Sequence, residues 1–242
     1  MRRKGISGGT LKWIALLSML VDHFTEIFYV GGWYFGRQII FPRPLYYFLR
    51  GVGRLAFPIY CFLLVEGFLH THDVKRYLTR LFLFGLVSEF PFDLAFRRSP
   101  VDWSYQNVYF TLFLGLLALV LWRLIVEKEG RTKLWVRLCA GLAVLCAIAL
   151  LAKFCHTDYG AWGVLTIAAL YFFRASEWQR DLFSGCALLG ASSFEVFGLL
   201  DFFLFHWYDG RRGRQPKYLF YVFYPAHLLI LALACRAVFG VL

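Results

Sequence analysis

Runs of about 20 predominantly apolar residues recur along the chain, and a helix of that length crosses the hydrocarbon of a bilayer. Roughly eight are legible, at residues 11–30, 53–69, 77–96, 108–126, 134–152, 160–173, 182–207 and 218–238. The sixth is short and the seventh long. Residues 38–48 are only half apolar and are interrupted by Pro42 and Pro44, which reads as an interfacial or re-entrant segment. A soluble domain is about 45–50% apolar and about 25% charged; here 60% of 242 residues are hydrophobic and 17% charged, too much apolar surface for a soluble fold to bury. The six cysteines lie in apolar stretches without a CxxC pair, which excludes a disulfide framework and a zinc pattern. The first run carries Asp22 and His23 and no small-residue cleavage site, so it reads as a span rather than a cleaved signal. With no internal repeat or linker, residues 1–242 are expected to form a single all-α polytopic membrane domain.

The net charge of +11, from 26 Lys and Arg against 15 Asp and Glu, falls in clusters between the apolar runs. That is the pattern of loops in a multi-pass protein, not of a nucleic-acid binder. Eight spans would bring both termini to one face. That face carries the larger share of Lys and Arg, which favours cytoplasmic termini. The opposite face would hold Arg211, Arg212, Arg214 and Lys217, more basic charge than topology requires.

Ionisable side chains inside apolar runs cost about 2.5–3.5 kcal/mol each at a helix centre, so each needs a reason. Asp22 and Glu26 stand four apart in the first run, on one helix face, with His23 beside them. Lys12 precedes His23 by three turns, on a similar azimuth. Glu89 and Asp93 repeat the four-residue spacing around Pro91, and His227 sits mid-span near Tyr221 and Tyr224. In the eight-span arrangement these residues, with Asn107 and Asp158, gather at the midplane or in the half away from the termini; Glu66 and His70 are the main polar pair in the other half. A one-sided set implies a polar central cavity with two candidate bases and a basic rim. His70 and His72, two apart, point to different helix faces, so spacing offers no metal site.

Six motif blocks follow one another in order. They are Leu11-Lys12-Trp13-Ile14-Ala15-Leu16 leading to Asp22-His23; Gly53-Arg54-Leu55-Ala56-Phe57-Pro58-Ile59 with Glu66-Gly67-Phe68 and His70-Thr71; Arg76-Tyr77-Leu78-x-Arg80-Leu81 with Ser88-Glu89-x-Pro91-Phe92-Asp93-Leu94; Asn107-x-x-Phe110-Thr111-Leu112; Asp158-Tyr159-Gly160-x-x-Gly163-Val164-Leu165; and a tail from Tyr208-x-Gly210-x-Arg212-Gly213 through Lys217-Tyr218 to Tyr224-Pro225-x-His227-Leu228. Carrying them, the chain resembles the TraX family of bacterial membrane proteins nearly end to end. The resemblance implies a multi-pass protein of the bacterial inner membrane that transfers an acetyl group from acetyl-CoA to an amine, such as a pilin or peptide amino terminus, or to a hydroxyl. It also implies a distant kinship with the membrane acyltransferase-3 group, whose first span carries Arg-x10-His; here Lys12-x10-His23 keeps the His and replaces Arg by Lys.

On that resemblance His23 is the expected general base, with Asp22, Glu26 or a carboxylate from another span orienting its ring. His227, Tyr224 and Tyr221 are expected to face the developing oxyanion. The phosphates of CoA would meet Lys12, Arg54, Arg211, Arg212, Arg214 and Lys217, or Arg76 and Arg80 on the other face. Glu66, Glu89, Asp93, Asn107 and Asp158 are expected to line the cavity. The lipid bilayer and the acceptor are the remaining partners, and no metal is expected. The competing class is a proton-coupled transporter, since intramembrane His and carboxylates also make proton relays; such folds commonly show repeated halves, and none are visible here.

Overall fold

A computed structural model describes residues 5–34, 42–127, 132–214, 216 and 218–239. Lys217 and residues 38–41 of the proline-interrupted stretch lie outside them. The described residues fold into α1 (Gly8–Tyr34), α2 (Arg43–Gly53), α3 (Ala56–His70), α4 (Val74–Phe92), α5 (Val108–Trp122), α6 (Leu134–Phe154), α7 (Gly160–Phe172), α8 (Glu177–Ala191), α9 (Asp201–His206) and α10 (Leu219–Phe239). π-helical segments follow α4 at Asp93–Arg97 and α5 at Arg123–Glu127, and a 3₁₀ segment spans Ser193–Leu200. Among the described residues no strand is present, only isolated bridges at Ile6–Tyr208 and Gln106–Thr157.

Among the described residues, five runs of helix are long and apolar enough to cross a membrane: Gly8–Gly32, Arg43–His70, Val108–Glu127, Leu134–Phe154 and Leu219–Phe239. They correspond to five of the eight expected spans. The expected span at 77–96 becomes α4, which carries Lys75, Arg76 and Arg80 in its first two turns, and then a π-helical segment after Pro91. The run at 160–173 yields α7, whose 13 residues reach only about 20 Å. The run at 182–207 is not one helix. Ser192 is fully extended (φ −165°, ψ 143°), and the segment beyond it is 3₁₀ rather than α. Two serines, which bond readily to their own backbone, stand at the break, and Glu195 just beyond them is ion-paired to Arg54. The stretch read as re-entrant is helical from Arg43 onward, with Pro42 as N-cap and Pro44 in the first turn, where a missing N–H costs nothing.

Two compact units are distinguished. The first comprises Met1–Tyr60, Leu86–Asp102 and Phe194–Leu242, the second Cys61–Gly85 and Trp103–Ser193. In the first, α1 packs against α2 and α10, and α10 against the π-helical segment. α1 and α10 run parallel: Trp13 meets Phe220 at 5.4 Å between ring centroids, His23 meets His227 a few turns on, and Gly31 opens onto Cys235 further still. The start of α1 is tied to the loop before α10. Ile6 N–H donates to Trp207 O (2.8 Å), Asp209 N–H to Ile6 O (3.1 Å) and Gly8 N–H to Arg211 O (2.8 Å). A Cβ on Gly9 would fall on the Arg214 carbonyl, so the loop lies directly on the helix there.

This geometry overturns the expected placement of Arg211, Arg212 and Arg214 opposite the N-terminus. They lie at the same end as the start of α1, and α10 ends at the other. The start of α1 and the last turn of α10 thus lie at opposite ends of this parallel helix pair.

In the second unit α5, α6 and α7 pack on one another and α7 on α8. The core includes Leu114, Leu145, Ile148 and Val164 together with Ala118, Ala149, Ala152 and Ala168, alanines that let helices approach closely. Asn107 fixes the entry to α5: its Oδ1 accepts from Tyr109 N–H (3.0 Å) and its Nδ2 donates to Gly85 O (2.9 Å), fully buried. Asn107→Ala removes the cap on Tyr109 N–H and the buried bond to Gly85 O. It is expected to cost about 2 kcal/mol, read as a lowered thermal midpoint in detergent.

Candidate active site

The site begins with two ladders of charge at one-turn spacing. Asp22 and Glu26 project from one face of α1; Arg50 on α2 and Arg54 just beyond it stand four apart on the facing element. Because α2 runs antiparallel to this part of α1, the ladders mesh. Arg50 Nη1 and Arg54 Nη2 each reach Asp22 Oδ2 at 2.7 Å, and Arg50 Nε reaches Glu26 Oε2 at 3.3 Å. Tyr46 OH donates to the same Glu26 oxygen at 2.6 Å, and its ring stacks on Tyr29 at 4.0 Å. Arg54 Nη1 extends the chain to Glu195 Oε1 at 3.1 Å. Three carboxylates thus share two guanidiniums, giving a network of formal charge −1 in which Asp22 and Glu195 are buried.

Gly53 makes the closest approach possible. A Cβ there would fall on the Asp22 carboxyl group, so only glycine lets α2 sit this near α1. Gly53→Ala is expected to force the helices apart and cost about 1–3 kcal/mol, measurable as a drop in thermal midpoint without loss of helix by circular dichroism.

One residue along α1 from Asp22, the half-buried His23 turns to another partner. Its Nδ1 lies 2.7 Å from Nε2 of the buried His227. The rings are nearly coplanar in orientation, 4° apart. His227 Nδ1 lies 2.6 Å from the carbonyl oxygen of Phe223. A carbonyl only accepts, so His227 Nδ1 must carry a proton. In a neutral ring its Nε2 is then an acceptor, which requires the proton of a neutral His23 to be on Nδ1. The remaining lone pair is on His23 Nε2. Phe96, carried by the π-helical segment, and Tyr224 each set an edge against the His23 ring, at 5.3 and 5.9 Å. π-Helical turns are frequent at functional sites, and this one aims Phe96 at the imidazole.

Several expectations are revised by this arrangement. Asp22 and Glu26 do not orient His23; they are held by arginines, and the orienting group is His227. Pro225 leaves the Tyr221 carbonyl without its helical N–H, and the His227 ring bonds the carbonyl of Phe223. Arg54 lies in the carboxylate network rather than in a basic rim. Arg50, Tyr46, Glu195 and Phe96 were not singled out from the sequence. A legible signal existed for Arg50, which pairs with Arg54 at the spacing that Asp22 and Glu26 repeat.

Lys12, three turns before His23, places its Nζ 5.4 Å from the Phe220 ring centroid. Near it the loop displays Arg211, Arg212 and Arg214, all exposed. Arg211 is engaged by Asp209 through Nε (2.8 Å) and Nη2 (2.5 Å). That guanidinium holds the Asp209 carboxyl below the usual carboxylate range, so the contact is complete at neutral pH and is lost as pH falls through the depressed value. Tyr221 is half-buried in the first turn of α10. Asp93 accepts from Asp102 N–H (2.8 Å), and Glu89 is half-buried on α4.

The other expected cavity residues belong to the second unit. Asp158 accepts from Tyr105 OH at 2.8 Å, while Thr111 bonds its backbone carbonyl. Glu66 offers its carbonyl to His70 Nδ1 (2.8 Å). Arg76 is paired with Asp73 at 2.9 Å on the surface, and Arg80 lies over the Tyr77 ring. Among the described residues no group of three or more His, Cys, Asp or Glu is arranged to hold a metal ion.

Comparison with known proteins gives two matches. A family model described as "TraX protein" matches residues 7–235. A Dichelobacter nodosus protein named "Probable fimbrial assembly protein FimC, serogroup H1" is 30% identical over 263 aligned positions, covering 98% of this chain and 97% of the relative. No solved structure matches.

Proposed function

Starting from a chain that belongs to the TraX family, we propose that it is a membrane acetyltransferase moving the acetyl group of acetyl-CoA to an amine, such as a pilin or peptide amino terminus, or to a hydroxyl. The likeness to a protein named for fimbrial assembly supports a pilin-type acceptor. The observation that carries the chemistry is the bare Nε2 of His23, fixed by its bond to His227. In this reading the acceptor nitrogen or oxygen attacks the thioester carbonyl carbon while His23 Nε2 takes its proton. The tetrahedral intermediate then expels CoA thiolate, and the same proton returns to sulfur. An imidazole, with an ordinary pKa near 6.5, suits base and acid duty at neutral pH. Tyr224 lies beside the pair as a candidate donor to the oxyanion.

The donor is assigned to the basic end of α1. Arg212 and Arg214, with Lys12 and, in sequence, Lys217, offer cations to the phosphates of CoA. The start of α1 lies about 22 Å from His23 along the helix, a depth that the long pantetheine arm is suited to cross. The concentration of basic residues at this end favours its lying on the cytoplasmic side, where CoA is; a polar cavity would connect it to the histidines. The acceptor would then arrive from the other side of the pair.

Purified protein in detergent tests this reading. Wild type is expected to bind acetyl-CoA saturably and to release CoA slowly without acceptor. Arg212→Glu combined with Arg214→Glu is expected to weaken binding by about tenfold or more at low salt. Absence of binding by folded wild type overturns the proposal and directs attention to proton and anion flux in liposomes.

A further inference from the structure

His23 and His227 are joined by a single short bond, and their surroundings differ. Beside His23, the Asp22 carboxylate turns its Oδ2 to Arg50 and Arg54, each at 2.7 Å. The carboxylates on that side are already engaged: Asp22 by both arginines, Glu26 by Arg50 and Tyr46. His227 faces different groups. Its Nδ1–H donates to the Phe223 carbonyl, and the Phe223 ring stacks on it, 4.6 Å between centroids and 15° between planes. Tyr224 sets its ring edge-on at 5.8 Å. A carbonyl oxygen and an aromatic face are both favourable neighbours for an imidazolium. A cation on His227 is met directly by the Phe223 carbonyl and ring, whereas Asp22, the carboxylate beside His23, is turned to two guanidiniums instead.

We propose that the pair is a proton relay in which the positive charge comes to rest on His227. A proton entering at His23 Nε2 is matched by passage of the His23 Nδ1 proton to His227 Nε2. His23 is left neutral as the Nε2–H tautomer, and His227 becomes the cation with both nitrogens protonated. Reversal of both transfers returns the proton from His23 Nε2. His227 is therefore a positioning partner that also stores charge, not a group that touches substrate. The relay rests on the acetyltransferase reading only for where its proton comes from and goes.

The test is a long-range proton–nitrogen NMR titration of protein labelled with ¹⁵N-histidine in detergent micelles. Assignments come from His23→Gln and His227→Gln, either of which identifies both members of the pair. The expected first protonation removes the bare-nitrogen signal of His227 Nε2 and moves that of His23 from Nε2 to Nδ1. Appearance of a doubly protonated His23 while His227 keeps a bare nitrogen overturns the relay. A kinetic arm separates storage from mere orientation. In His227→Gln the amide oxygen still accepts from His23 Nδ1–H but cannot take a proton. Its kcat for CoA release is expected to fall about tenfold or more at unchanged KM for acetyl-CoA, and an unchanged kcat overturns the proposal. Wild type that releases no CoA defeats the acetyltransferase reading instead, leaving the NMR result to decide the relay.

Discussion

His23→Ala is expected to lower acetyl-CoA-dependent CoA release by about 10²–10⁴-fold, the range typical for loss of a general base, while donor binding is retained. Both parts follow from position. The bonds from His23 to His227 and from His227 to the Phe223 carbonyl leave the lone pair of His23 Nε2 to take a proton, and alanine removes that base. The exposed arginines assigned to the donor lie at the start of α1, about 22 Å away along the helix. Folding should be little changed. His23 is half-buried, the neighbouring ion pairs of Asp22 and Glu26 do not include it, and the variant gives up one hydrogen bond worth about 1 kcal/mol. The informative comparison is between kcat and the dissociation constant for acetyl-CoA in the same preparation. Full transfer activity in His23→Ala would remove His23 from the chemistry and with it the assigned mechanism.

The parts of this protein most legible in its sequence are those governed by hydrophobic length. Four of the five runs suited to crossing a membrane among the described residues begin and end close to the apolar runs that announce them; the fifth, Arg43–His70, starts ten residues before its apolar run at 53–69. The run at 182–207 misled because composition alone does not register a break at Ser192 and Ser193, nor that Glu195 just beyond it pairs with Arg54, distant in the chain. Sidedness misled for a related reason. Counting eight spans fixes both ends on one face, but the backbone bonds from Ile6 and Gly8 to Trp207 and Arg211 place the basic loop at the start of α1. In the site, sequence identified His23, His227, Asp22 and Glu26 as out of place in lipid, which is a statement of cost. Which of them pair is a statement of geometry. The adjacency of Asp22 to His23 suggested a carboxylate–imidazole dyad, yet neighbours on a helix diverge by about 100°, and each found its partner on a different element.

The largest stability effect is expected at Arg54. Its guanidinium spans two buried carboxylates, Asp22 at 2.7 Å and Glu195 at 3.1 Å, on segments 173 positions apart in the chain (195 − 22). Arg54→Ala leaves Glu195 without this cation and Asp22 dependent on Arg50 alone. Breaking a buried pair from one side typically costs about 3–5 kcal/mol, because the surviving charge stays desolvated. Arg50→Ala should cost less: Asp22 retains Arg54, and Glu26, more exposed, retains Tyr46. Arg54→Lys keeps the charge but a single ammonium does not bridge both acids with the planar fork, so it should fall between Arg54→Ala and wild type. Thermal or denaturant unfolding in detergent is expected to rank wild type above Arg50→Ala and Arg54→Lys, with Arg54→Ala lowest. Adding Glu195→Gln to Arg54→Ala should recover part of the loss by neutralising the stranded carboxylate. A double variant no more stable than Arg54→Ala would mean that Glu195 is not the charge that Arg54 compensates. The same series reads on function: if the guanidiniums also shape the charge around His23, Arg54→Lys should shift the pH dependence of CoA release even where its stability loss is small.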